Sequence, residues 1–182
     1  KVEKLAEQKT FNVIALNNTT LPAKNRDEMV KFQLEVSKLS KSMVGAFMLT
    51  RDLKKELVVI KQTLLTMPST HEAILPKIDE IEKELNEIQF IFTGEEAKAS
   101  WEEIPPANMP LYNRLDDMVQ TQISSTSDIT GTSKTAFEIL KSEYPPVLER
   151  IKVVAETKMP ELRKLLDQLN APYTPGRIID WK

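Results

Sequence analysis

The chain has 182 residues, 41% of them hydrophobic and 29% charged, a balance that suits one domain with its own core. Its 25 basic residues stand against 27 acidic ones, and the net charge of -2 gives no sequence-independent pull on nucleic acid or on anionic lipid. With no cysteine, disulfides, thiolate metal ligands and a cysteine nucleophile are excluded.

No apolar run approaches the roughly 20 residues needed to cross a bilayer, so direct membrane insertion is not expected. Lys1 stands where an initiator methionine would, and no signal-peptide pattern follows it, which points to further residues upstream. Thr10-Phe11-Asn12-Val13-Ile14-Ala15-Leu16 alternates in part and runs into Asn17-Asn18-Thr19-Thr20, the pattern of a strand followed by a turn. A lone strand is not stable in water. Residues 1–24 therefore read as an extended, strand-like segment, either laid on the rest of the molecule or closing a preceding β domain.

Residues 25–182 read as a helical bundle with a docking tail. Asn25 is a suitable N-cap, with Asp27 and Glu28 in the first turn that follows. From there Met29, Phe32, Val36, Leu39, Met43, Ala46, Thr50, Leu53, Leu57, Ile60 and Leu64 alternate three- and four-residue steps. That rhythm predicts one seam along a helix about 55 Å long, closed at Met67 and Pro68. A second seam, Ile74, Ile78, Ile81, Leu85, Ile88 and Phe92, ends at Gly94, with Asp79, Glu80, Glu82, Lys83 and Glu84 mostly on the opposite side. The short link between the two helices turns the second back along the first.

Glu95, Glu96, Trp101, Pro105, Pro106 and Pro110 predict a long crossing without regular helix. A third, shorter helix carries Leu111, Leu115, Met118 and Gln122, its apolar stripe widened by Tyr112, Val119 and Ile123, until Ser124-Ser125-Thr126-Ser127 and Gly131 break it. The last helix is expected from Thr132 or Ser133. Its seam runs through Phe137, Leu140, Tyr144, Val147, Ile151 and Val154, then steps over to Ala155, Met159, Leu162, Leu166 and Leu169. Pro145-Pro146 and Pro160 predict kinks in it. Beyond Asn170, Pro175-Gly176 suits a type II turn. Four helices, each with one apolar stripe, predict an all-α, up-and-down antiparallel four-helix bundle with a kinked last helix and a short N-terminal extended segment.

Sites for chemistry are sparse. His71 is the one histidine, so the paired Glu-x-x-His sets of di-metal bundles are absent and no metal or cofactor is expected. The carboxylates at 79–87, 95–96, 102–103 and 116–117 supply an acid and base pair only if two face each other across a cleft. Adjacent helix positions point about 100° apart, which keeps Asp116 and Asp117 off one site and leaves solvated helix faces as the plainer reading. Seven methionines fall chiefly on the seams, as core filling. Tyr173, Arg177 and Trp181 either clamp the tail onto the bundle or form an interface, together with Tyr112 and Arg114.

The closing stretch, Asn170-Ala171-Pro172-Tyr173-Thr174-Pro175-Gly176-Arg177 followed by Trp181, resembles the end of bacterial sortilin-like proteins, which are β-propellers with BNR, or Asp-box, repeats. Leu111-Tyr112-Asn113-Arg114-Leu115, the loop at 125–127 and Pro146-Val147-Leu148 are similar in order and spacing. Where that family shows Asp-Pro-Arg after the strand, this chain has Asn17-Asn18-Thr19. The resemblance implies a C-terminal helical module of a larger exported protein, following a β-sandwich-like segment whose last strand is Phe11 to Leu16. It carries over no catalytic residue.

Three functional expectations result. The first is a non-catalytic module that supports or contacts neighbouring domains of the same polypeptide or another protein. The second is a stand-alone helical adaptor with an uncovered apolar stripe for a partner helix. The third is a hydrolase with two carboxylates about 5 to 9.5 Å apart.

Overall fold

The computed structural model describes residues 6–14, 16, 19–67, 74–96 and 107–179. His71, Pro68, Trp101, Trp181 and the carboxylates at 102–103 lie outside them. The chain forms α1 (Arg26–Leu65), α2 (Leu75–Thr93), α3 (Leu111–Ser124) and α4 (Gly131–Val153); a π-helical turn (Val154–Lys158) then leads into α5 (Met159–Gln168). The fold is all-α, four helices with the last one kinked, and no strand occurs among the described residues.

Local chemistry sets the helix ends where the side chains predict. The Asn25 side chain accepts from the Glu28 amide at 3.1 Å, satisfying one of the free donors of the first turn. Gly94 ends α2 at φ 73, its amide donating to the Phe90 carbonyl at 2.7 Å. α4 starts earlier than Thr132: Thr130 is its cap, accepting from the Ser133 amide at 3.1 Å, with Gly131 the first helical residue. A β-hydroxyl one residue before a glycine is the better cap because its oxygen reaches the third amide beyond it.

The seams are the core. On α1, Val36, Met43, Ala46, Thr50, Leu53, Leu57, Ile60 and Leu64 are buried; on α2, Ile78, Ile81, Leu85, Ile88 and Phe92 are. Each fully buried large apolar side chain stabilises the fold by about 1.5–3 kcal/mol. Thr50, wholly buried, donates to the Ala46 carbonyl of its own helix at 2.9 Å, so a hydroxyl sits in the seam without an unmet bond. Ile123 departs from expectation: it is 75% exposed, because the stripe of α3 narrows to Leu111, Leu115 and Met118.

Side-chain pairs give the directions. Phe47 meets Phe92, Lys54 donates to Gln89 and Lys61 pairs with Asp79 and Glu82, so α2 descends along α1. α3 also descends: Tyr112 at its start stacks on the same Phe47, at 5.6 Å between centroids, while Thr121 and Gln122 at its end lie with Met29 and Gln33. α4 and α5 ascend, pairing Phe32 with Phe137, Ser42 with Tyr144 and Glu56 with Arg163. α3 therefore resumes the line of α2, and the molecule is three helices thick at each level. One core joins α1, α3 and α4 with the end of α2; the other joins α1, α2 and α5.

The kink falls at one of the two expected places. α4 runs unbroken through Pro145 and Pro146, whose rings sit on its exposed face. Its seam takes three- and four-residue steps to Val154 and then a step of five to Met159, both fully buried. The π turn spans that step, the Met159 amide bonding to the Val154 carbonyl. Pro160, lacking a donor, follows at once, where a wider turn relieves the crowding of its ring.

The N-terminal expectation is corrected in one respect. Residues 10–14 form no strand against the bundle, and Phe11, Val13, Ile14 and Leu16 are 80–88% exposed. Among the described residues the seams of the helices pack against one another and not against these four side chains.

Candidate functional site

The carboxylates of α2 are spent on ion pairs between helices. Glu84 and Glu87 both accept from Arg150 of α4, at 2.6 and 2.8 Å. Asp79 and Glu82 flank Lys61 of α1, and Glu80 accepts from Lys158 of the π turn at 2.7 Å. Chief among the causes is the hydrogen bond in each case: Glu84 raises the Arg150 guanidinium, Glu82 raises the Lys61 ammonium, and Lys158 holds the Glu80 carboxyl below its ordinary range. Each of these acids is thus paired with a cation of another helix. Among the described residues no three histidine, aspartate or glutamate side chains gather in a metal-binding set.

The tail is anchored by charge and by backbone geometry. Asn170 takes φ 48, the Asn170 amide donates to the Asp167 carbonyl at 3.0 Å and the Ala171 amide to the Leu166 carbonyl at 2.9 Å. Those two bonds close α5 in a Schellman motif, with Ala171 buried against the core. Pro175-Gly176 then turns as predicted, Gly176 at φ 79 and the Arg177 amide donating to the Thr174 carbonyl.

The Arg177 side chain, 3% exposed, donates to Asp167 at 2.8 Å, to the Pro172 and Ala171 carbonyls at 2.9 and 3.1 Å, and to the Thr174 hydroxyl at 3.3 Å. It is the clamp of the tail and has no surface to offer a partner. Beneath the turn, Arg163 makes a bidentate pair with Glu56, both bonds 2.7 Å, which raises the Arg163 guanidinium.

The other expected interface residues are dispersed. Tyr112 is 38% exposed and stacks on Phe47 near the middle of α1. Arg114, on the same turn of α3, buries its Nε without a partner. Tyr173 is 64% exposed and sits in the tail beyond α5, two residues after Ala171 of the other core. Tyr112 and Arg114 thus share one helix end, while Tyr173 and Arg177 belong to a separate region.

A groove of about 460 Å³ lies instead between the first turns of α1 and α4. Phe32, Phe137 and Ile129 form its floor, and Glu28, Lys134 and Glu138 stand at its rim. Sequence reasoning placed Phe32 and Phe137 on seams and passed over their neighbours. No local signal pairs them, because the groove joins side chains about a hundred positions apart, as in the Lys134–Glu28 pair.

No family model, curated protein or solved structure matches the chain.

Proposed function

We propose that this chain is a non-catalytic helical module, the C-terminal part of a larger exported sortilin-like β-propeller protein, where it supports or contacts a neighbouring domain. The supporting observation is the stretch at 10–16. It is rich in aromatic and β-branched residues, uncharged from Thr10 to Ala23, and exposed at Phe11, Val13, Ile14 and Leu16. Such a segment is costly to leave in water, and the described residues of the bundle offer no sheet edge to pair with it. A β domain upstream supplies that edge.

The adaptor reading fits less well. Val30 and Leu34 are exposed one turn apart on α1, but Lys38 and Lys41 follow on that side, which interrupts any continuous seam for a partner helix.

The test is the native gene product, by intact mass and N-terminal sequencing. The expected result is a longer polypeptide whose upstream part carries Asp-box turns, a β domain and an export signal. A native protein that starts at Lys1 or a few residues before it overturns the proposal.

A further inference from the structure

We infer that the outward face of α1 is an interface between two copies of this chain, packed antiparallel about the midpoint between Ala46 and Phe47. Helical geometry defines the face. At about 100° per residue, Leu34, Lys41, Gly45, Met48, Asp52 and Val59 fall within about 60° of arc, opposite the buried seam. Leu34 and Met48 are 58% and 49% exposed. The other helices present less: α2 exposes Phe90 and α4 Val153, each alone, and on α3 Tyr112 is stacked on Phe47, which leaves Ile123.

Gly45 stands at the centre of this face. A mid-helix glycine is among the least helix-favouring residues, and no described neighbour requires this one: a β-carbon built there meets no atom within 4 Å. Its missing side chain is a notch open to a side chain from another molecule.

Self-complementarity selects the occupant. In a two-fold antiparallel pair, residues equidistant from the midpoint face each other, and each contact occurs twice. Met48 then enters the notch at Gly45 of the other copy, Leu34 covers Val59, and Lys41 meets Asp52. Lys41 makes no ion pair among the described residues, while Asp52 is engaged by the exposed Lys55 of its own helix at 3.2 Å. The lysine that interrupts an apolar seam for a foreign helix thus has its counter-charge on a second copy, and the two Lys41–Asp52 pairs set direction and register. Lys38 and Lys55 are also equidistant from the midpoint, but they stand on opposite rims of the stripe and do not meet.

The experiment is sedimentation velocity on the 182-residue chain, on Lys41→Glu, on Asp52→Lys and on an equimolar mixture of these two variants. The expected result for the parent is a reversible dimer of twice 20.8 kDa, with a dissociation constant on the order of 10–100 μM, as suits a small helix-to-helix contact. Each single variant brings like charges together at both pairs and should weaken the dimer about tenfold or more. In the mixture both pairs are again of opposite sign, and association should return to within about threefold of the parent. Gly45→Gln fills the notch yet favours the helix, so it should weaken the dimer while the thermal midpoint at dilution stays level or rises. A parent chain that remains monomeric to about 1 mM overturns the proposal. So do single variants that associate as well as the parent, or a mixture no tighter than either variant alone.

Discussion

Pro110 closes onto Gly94: a β-carbon built on Gly94 would stand 2.8 Å from Pro110 Cγ. The end of α2 and the start of α3 are thereby in contact, which lets α3 continue the descent of α2 along α1. Gly94 combines this approach with φ 73 and ψ -165, a backbone region that side chains rarely tolerate. Gly94→Ala is expected to lose about 2 kcal/mol or more in urea denaturation, strain and clash together. A loss under about 0.5 kcal/mol would mean that the junction is not held by this contact.

The Glu56–Arg163 pair ties α1 to α5, with side chains 11% and 26% exposed. Removing one partner leaves the other charge poorly solvated, so Glu56→Ala should cost about 2–4 kcal/mol. Replacing both by apolar residues of similar volume, Glu56→Leu with Arg163→Met, should recover most of that loss. If the double variant is as unstable as the single one, the pair stabilises through more than charge compensation. Thermal and urea denaturation of the three variants separate these outcomes.

The π turn behaves as a one-residue insertion in the last seam. Deleting the exposed Glu156 turns the five-residue step from Val154 to Met159 into a four-residue one, and the protein should still fold cooperatively with a change in stability of about 1 kcal/mol. Deleting Glu149, equally exposed but in regular helix, rotates all that follows by about 100° and should abolish cooperative unfolding. Equal effects of the two deletions, read by circular dichroism during thermal denaturation, would remove the π turn from its role as register keeper.

Lys61 carries a pH dependence with a definite sign. Glu82, then Asp79, raise its ammonium above the ordinary value of 10.5. Its contribution is therefore complete below pH 10.5 and is lost as pH rises through the higher folded value. The stability gap between the wild type and Lys61→Met should be constant from pH 7 to about 9.5 and shrink above 10.5, the ordinary lysine range. With its side chain 30% exposed and screened by water, the gap itself should stay under about 1 kcal/mol. A gap that widens with pH contradicts the assignment.

Arg177 illustrates what a sequence leaves open. An arginine near a tyrosine in a tail fits a clamp, the plainer reading, but also an interface, since both use a planar fork of donors. Only the fold of the tail brings Ala171, Pro172, Thr174 and Asp167 around one guanidinium. The acids of α2 were legible as an outer face, yet their partners Lys61, Arg150 and Lys158 come from other helices and could not be named in advance. Likewise the groove unites residues about a hundred positions apart.

The sequence by itself determined the four helices, the caps at Asn25 and Gly94 and most of the stripe each helix buries, because those depend on neighbours within a few residues: hydrogen bonds to the nearest amides and a three-four spacing of apolar side chains. It also contained the five-residue step that the π turn absorbs. Only the tertiary structure decided that α3 lies in line with α2, that the acids of α2 bridge to other helices and that Arg177 turns inward. Those outcomes are set by which distant surfaces meet, and the energy of such meetings is not written in any local spacing.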